Sequence, residues 1–351
     1  MKRLMMVWGS VLASAALAAT PTALLDGARR EGALVVYSTT DAEQVRPLLD
    51  DFRRRYPFLR VAYHDLSSAE IDRRVRAEAA GHGGADVAWS SAMDLQVRLV
   101  NEGYAQAYAS RERDALPSWA QWRDEVYGTT FEPVVFAWNR RRLPDARVPS
   151  THEALRRQLS GGGAEWKVAG YDVERSGVGY LLLSQDAVHN PEFWDLARQL
   201  QPATRAVDTS SRAVVERLLR GEASVAYNVI GPYAEELARR HPELGWRIPE
   251  DYALVLSRLT LITRHAAHPN AARLWTDYLL SEDGQRVLAE GVALPPLRRG
   301  LARRLGKVEL DALAESLRPI QVGTGLLVYL DRAKKERFLR RWRELAARRA
   351  D

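Results

Sequence analysis

Short apolar runs alternate along this chain with longer stretches in which apolar positions recur every three or four residues. Three times in the first hundred residues the order is the same: apolar strand, hydroxyl-rich turn, amphipathic helix. Ala33–Tyr37 reads as a strand, Ser38-Thr39-Thr40 as its turn, and a helix opens near Asp41 with Val45, Leu48, Leu49 and Phe52 on one face. Thr40 and Glu43 have capping-box spacing, and Arg53-Arg54-Arg55 followed by Pro57 marks the end. The second copy runs from Leu59–Tyr63 through His64-Asp65-Leu66 to a helix opened by Ser67 and Glu70 and stopped by Gly81-His82-Gly83-Gly84. The third has Ala85–Trp89, then Ser90-Ser91, then a helix through Leu95 and Leu99 in which Ser91 and Asp94 repeat the capping spacing. Strands alternating with helices of this length predict right-handed βαβ units and a parallel sheet.

The pattern then loosens. Tyr127–Thr130 and Val134–Asn139 are extended segments, and Pro144, Pro149 and Gly161-Gly162-Gly163 punctuate a connector. A second α/β region follows. Lys167–Tyr171 is a strand, Ser176-Gly177 opens the helix Val178–Ala187, and Asp208-Thr209-Ser210-Ser211 opens the helix Arg212–Arg220. Ala223–Tyr227 is a further strand ending in Tyr227-Asn228, and Pro232 stands where a helix takes its first proline. Tyr252–Ile262 reads as one long strand returning to the first region, Asn270–Leu280 and Glu282–Glu290 as helices, and the last fifty residues as helical.

Composition changes this picture in three places. Lys2 and Arg3, an apolar stretch from Leu4 to Leu17 and Ala16-Leu17-Ala18 together have the form of an export signal ending at residue 18; the run is too short for a comfortable membrane span. The chain has no cysteine, which excludes disulfides, thiolate metal sites and a lipid-modified cysteine. The net charge of +6 is concentrated at the C-terminus, in Lys334, Lys335, Arg337, Arg340, Arg341, Arg343, Arg348 and Arg349. That tail could touch an anionic surface, but Leu330, Phe338, Trp342 and Leu345 form an apolar stripe that calls for a protein core, so a solvated outer face is the simpler reading. Elsewhere acids and bases are interspersed, giving no nucleic-acid footprint. At 351 residues the chain should form two domains.

In parallel sheets ligands bind beyond the carboxyl ends of the strands, at helix N-termini, where unpaired amides and the helix dipole favour negative charge. Ser38-Thr39 and Ser90-Ser91 place paired hydroxyls at that edge, with Thr40 and Ser91 expected to cap their helices and the hydroxyls before them left over. Ser176, Thr209, Ser210 and Asn228 do the same in the second half. Each could equally serve only its own turn. Tyr227, at a strand end, could stack on a ligand or pack in the core, and Asp172 could hydrogen-bond a polar ligand or cap a turn. Signals of catalysis are weak: there is no Gly-x-Ser-x-Gly elbow, no Lys-[Ser/Thr] after the triple glycine and no His-Glu-x-x-His, while His265 and His268 read as a turn rather than a metal site. No cofactor is expected.

The segments Val35–Asp41, Ala85–Asp94, Tyr171–Leu182, Ala226–Ala234 and Asp251–Arg258, taken in order after an export signal, resemble the extracellular solute-binding family 1, the periplasmic components of ABC importers often labelled ferric-iron-type. The resemblance implies a type II periplasmic binding fold: two α/β lobes, two crossover strands and a ligand cleft between. It implies a first lobe of residues 31–134 and 253–300, a second lobe of 135–252, and C-terminal helices of 301–351 packed on both. It also implies contacts from Ser38, Thr39, Ser90 and Ser91 on one side, from Ser176, Gly177, Thr209, Ser210, Tyr227 and Asn228 on the other, with Arg258 approaching on a returning strand. Iron binders of the family use adjacent tyrosines, and here Tyr227 is followed by Asn228. The branch resembled therefore takes phosphorylated organic solutes. The expectation is a monomeric periplasmic receptor that closes on a small organic anion and docks on an inner-membrane permease. Ferric-iron capture, a sensor serving a histidine kinase and a hydrolase are the alternatives.

Overall fold

The computed structural model describes residues 21–347 apart from 80, 82, 83 and 164, so the export signal lies outside the described residues. The first region is built as the pattern predicts. Helix α1 (Thr22–Glu31) ends at Gly32, whose left-handed φ of 65° lets the chain turn into β1 (Ala33–Ser38). Then come α2 (Ala42–Arg55), β2 (Arg60–Asp65), α3 (Ser68–Glu78), β3 (Val87–Ser90) and α4 (Met93–Asn101). The three strands pair in parallel in the order β2-β1-β3. After β4 (Gln121–Trp122) and β5 (Val126–Gly128) the chain leaves this sheet.

The second sheet is organised around β6 (Glu132–Asn139), all eight residues of which are buried. Helix α5 (His152–Ser160), β7 (Val168–Tyr171), α6 (Gly177–His189), α7 (Phe193–Ala203), β8 (Thr204–Asp208), α8 (Ser211–Leu219), β9 (Val225–Ile230), α9 (Gly231–Arg240) and β10 (Leu244–Arg247) follow. The segment expected to be one strand is two. β11 (Ala253–Leu256) pairs with β6 in the second sheet, and β12 (Leu259–Ile262) lies between β3 and β5 in the first. Two short crossovers between the sheets, residues 129–131 and 257–258, result, and the chain passes to the second sheet once more, by a longer route, after residue 290. The two short crossovers lie side by side: Thr129 donates its amide to Ser257 Oγ at 3.1 Å and its hydroxyl to the Arg258 carbonyl at 2.8 Å.

Helices α10 (Pro269–Leu280) and α11 (Glu282–Glu290) return to the first lobe, where Trp275, Tyr278 and Leu288 join Phe52 and Trp89 in one core. The final segment is not helical throughout. It holds a short hairpin, β13 (Arg304–Leu305) with β14 (Val308–Glu309), then β15 (Leu317–Pro319), which pairs with β11, and only then α12 (Arg332–Ala347). Phe338 and Leu345 of α12 are buried against Phe193 and Tyr180 of the second lobe, with Trp342 packed beside them. The apolar stripe thus has its core. No helix of the described residues is long and apolar enough to cross a membrane.

Candidate functional site

A crevice of ≈ 220 Å³ lies between the two sheets, beyond the carboxyl ends of their parallel strands. One wall carries Thr39, Asp41, Asp65, Ser67, Ser68 and Ser91 of the first lobe. The other carries Val178, Thr209, Ser210, Ser211, Arg212, Ile230 and Tyr233 of the second. The N-termini of α2, α3, α6, α8 and α9 face it.

The hydroxyl pairs after β1 and β3 divide their labour. Ser38 and Ser90 are buried, and each Oγ accepts the amide two residues on, from Thr40 at 3.1 Å and from Ala92 at 3.2 Å. Serine closing a local turn in this way is ordinary turn chemistry. The second member of each pair faces the crevice. Thr39 Oγ1 accepts the Ser91 amide at 3.1 Å and lies 3.4 Å from Ser91 Oγ, stitching the two turns together. Neither expected capping box here forms. Asp41 and Ala92 take the cap positions without side-chain bonds, and Thr40 is turned inward to accept from Arg258 at 2.7 Å. The box of Ser67 and Glu70 does form its first half, with Ser67 Oγ accepting the Glu70 amide at 3.2 Å.

On the second wall Ser210 caps α8 by accepting the Ala213 amide, and Ser211 points inward to the Tyr171 hydroxyl. Ser176 lies beneath the wall, capping α6 and donating to the Thr209 carbonyl at 2.9 Å. Gly177 marks where the lobes meet: a Cβ there would stand 2.9 Å from Ser68 Oγ and 3.0 Å from Leu95 Cδ1, so a larger residue would prop the lobes apart. Asp172 closes the turn before α6, accepting amides from Glu174 and Arg175.

Tyr227 and Asn228 are placed differently from the expectation. β9 does not end at Tyr227 but runs on to Ile230, and its pairing with β6 is interrupted by a bulge opposite Phe136. Asn228 adopts a positive φ of 59° at this bulge, and both side chains turn onto the buried carboxylate of Asp186, which also accepts from Tyr252 at 2.9 Å. Burial holds the Asp186 carboxyl above its usual range and the Tyr227 phenol well above its own. This cluster ties α6 to β9 and to the residue before β11, and does not line the crevice.

Arg258 is fully buried beneath the crevice floor. It donates to both oxygens of Glu132, at 2.9 and 3.1 Å, to Thr40 of the first lobe and to the Tyr233 hydroxyl of the second at 3.3 Å. Burial works against its charge, but Glu132 more than restores it. Thr130, on the adjoining crossover, donates to Glu132 at 2.6 Å. Arg258 thus ties its crossover to both lobes, one layer below the crevice.

Three crevice features escape the sequence reading. Asp41 and Asp65 stand together at the N-terminus of α2, where Asp65 accepts the Ala42 amide at 3.3 Å. Loss of water and repulsion from Asp41 hold the Asp65 carboxyl above its usual range. Arg212 reaches across from α8 to Asp41 at 3.1 Å while holding Glu236 at 2.6 Å. Tyr233 lies between the Arg212 and Arg258 guanidinium groups, 5.7 and 5.4 Å from its ring centre, and reaches the Thr39 carbonyl at 3.4 Å. Asp41 and Arg212 directly follow turns already singled out. Tyr233 could not be placed without knowing where β9 ends.

The comparisons agree with this architecture. Residues 34–291 match the family described as bacterial extracellular solute-binding protein. The solved substrate binding protein of an ABC transporter from Agrobacterium tumefaciens is 35% identical, with a TM-score of 0.83 over 90% of this chain and 94% of that one. Iron-bound HitA from Pseudomonas aeruginosa (17% identity, TM-score 0.71, 89% of this chain and 99% of that one) shares the fold. So does AfuA from Actinobacillus pleuropneumoniae with fructose-6-phosphate (18%, 0.75, 90% and 99%). No curated protein matches by sequence. Two lobes on two sheets, joined by paired crossovers, make this a type II periplasmic binding fold, and the chain belongs to the bacterial extracellular solute-binding protein family.

Proposed function

We propose that this protein is the periplasmic substrate-binding component of an ABC importer, and that it closes on a small organic anion, phosphorylated or otherwise acidic, without transforming it. The observation that carries this reading is the second wall. Thr209, Ser210 and the start of α8 present hydroxyls and the first helical amides to the crevice, with Arg212 beside them. Helix-end amides, hydroxyls and a guanidinium are the donors an acidic group needs. Closure brings Thr39 and Ser91 over the same space from the first lobe. The paired crossovers supply the hinge, and release to a membrane permease follows reopening.

Ser91 and Thr209 test the reading from opposite walls, since neither hydroxyl is the cap of its helix. Isothermal titration against a panel of phosphorylated and carboxylated metabolites should give a ligand with micromolar or tighter dissociation constant. The double variant Ser91→Ala, Thr209→Val should bind it roughly five- to thirtyfold more weakly, at about 1–2 kcal/mol across the two hydrogen bonds. Binding of ferric citrate with a visible tyrosinate band, and of no organic anion, would replace this reading with iron capture.

A further inference from the structure

The charge balance of the crevice is not that of a site for a simple anion. Its first wall carries two carboxylates, Asp41 and Asp65; its second carries one cation, Arg212, already shared between Asp41 and Glu236. Asp65 has no ion pair among the described residues. Its polar contact is the Ala42 amide, and loss of water with the repulsion of Asp41 outweighs the weaker attraction of Arg212 and Arg258. An acidic ligand alone would add one or two negative charges to a space whose lining is already net negative, and would strip water from Asp65 on closing. Hydroxyl groups could satisfy the carboxylate oxygens but would leave the charge uncompensated. A cationic group on the ligand does both.

Resting on the organic-anion reading above, we infer that the solute is a small zwitterion whose ammonium group lies against Asp65 and Asp41 while its acidic group lies against Thr209, Ser210 and Arg212. The two poles sit on opposite lobes, so only a molecule carrying both engages both walls and draws them together. Ser67 and Ser68, beside Asp65, offer hydroxyl oxygens to the remaining ammonium protons. On this view Asp41 has two roles. It holds Arg212 across the crevice when the space is empty, and it faces the ligand's cation when the acidic group draws on Arg212.

The test uses two matched pairs that differ in the amine: phosphoethanolamine against ethyl phosphate, and β-alanine against propionate. In isothermal titration of the mature protein, the amine-bearing member of at least one pair should bind at least tenfold more tightly than its partner. Asp65→Asn should shrink that ratio towards one, chiefly by weakening the amine-bearing member, while leaving ethyl phosphate unchanged or slightly tighter. An amine-free member binding as tightly as its partner overturns the zwitterion inference and leaves the organic-anion reading standing. A preserved ratio in Asp65→Asn overturns the assignment to this carboxylate. If no member of either pair binds while the metabolite panel yields an amine-free organic anion, the zwitterion inference falls and the organic-anion reading stands.

Discussion

Two arginine–carboxylate pairs connect the lobes, alike in chemistry and opposite in setting. Arg258 and Glu132 meet at the crossovers with both side chains 0% exposed, and every polar group around them is engaged. Arg212 and Asp41 meet across the crevice with side chains 26% and 34% exposed, and Arg212 is shared with Glu236. A buried pair is held in place by the cost of leaving either charge alone. A half-exposed pair is worth little, since water can replace either partner. On the proposed reading, the first fixes the axis about which the lobes turn, and the second can be exchanged for a ligand.

The sharpest way to break this contrast is to remove one half of the buried pair. Glu132→Gln strands the Arg258 guanidinium in the core and should cost about 3–5 kcal/mol in denaturant unfolding. A loss below about 1 kcal/mol would mean that water reaches the hinge and that the two pairs do not differ. Asp94 sharpens the contrast from the other side, as a buried carboxylate with no arginine bound to it. It accepts only the Leu95 amide at 2.9 Å among the hydrogen bonds described, and burial pushes its carboxyl up to about 6, against the weaker pull of Lys335 and Arg98. Its raised value makes the folded state bind more protons than the unfolded one. Stability should therefore fall as pH rises from about 4 to about 6, by on the order of 3 kcal/mol, and then level off. Asp94→Asn should flatten that part of the pH–stability profile. An unchanged slope would assign it elsewhere, Asp186 being another carboxyl raised by burial.

The same contrast explains how much could be read from the sequence. The three strand–turn–helix units were legible because apolar periodicity and helix-stop residues are local signals, and β1, α2 and the cap at Ser67 follow them closely. The crevice turns were legible as turns, but not by which hydroxyl would face out. Ser38 and Thr39 are both small and polar, and the choice is made by the β1–β3 pairing that sets Thr39 against Ser91. Tyr227 and Asn228 were misplaced because a bulge and three more residues of strand depend on β6, ninety residues earlier. The break of Tyr252–Ile262 into two strands is equally non-local. Ser257-Arg258 looks like strand continuation until Glu132 and Thr129 are brought beside it. Asp41 and Asp65 were passed over because single acids at strand ends are common, and only the opposing wall reveals that one of them goes unpaired.

The smallest expected effect on stability belongs to the crevice pair. Arg212→Gln removes a guanidinium that neutralises Asp41 and Glu236, but all three groups retain access to water, so unfolding free energy should change by no more than about 1 kcal/mol. Its effect on shape should be larger than its effect on stability. Arg212 bonds one lobe to the other across the crevice, as Tyr233 does to the Thr39 carbonyl, while Arg258 bonds Thr40 beneath it. Without it the empty protein should shift towards the open form, read as an increased radius of gyration in small-angle scattering at low salt. Raising the salt should move the wild type in the same direction and leave the variant where it is, since screening acts on the pair the variant lacks. Equal scattering from both proteins at every salt concentration would show that closure is held from the hinge alone, leaving Arg212 to act only on the ligand.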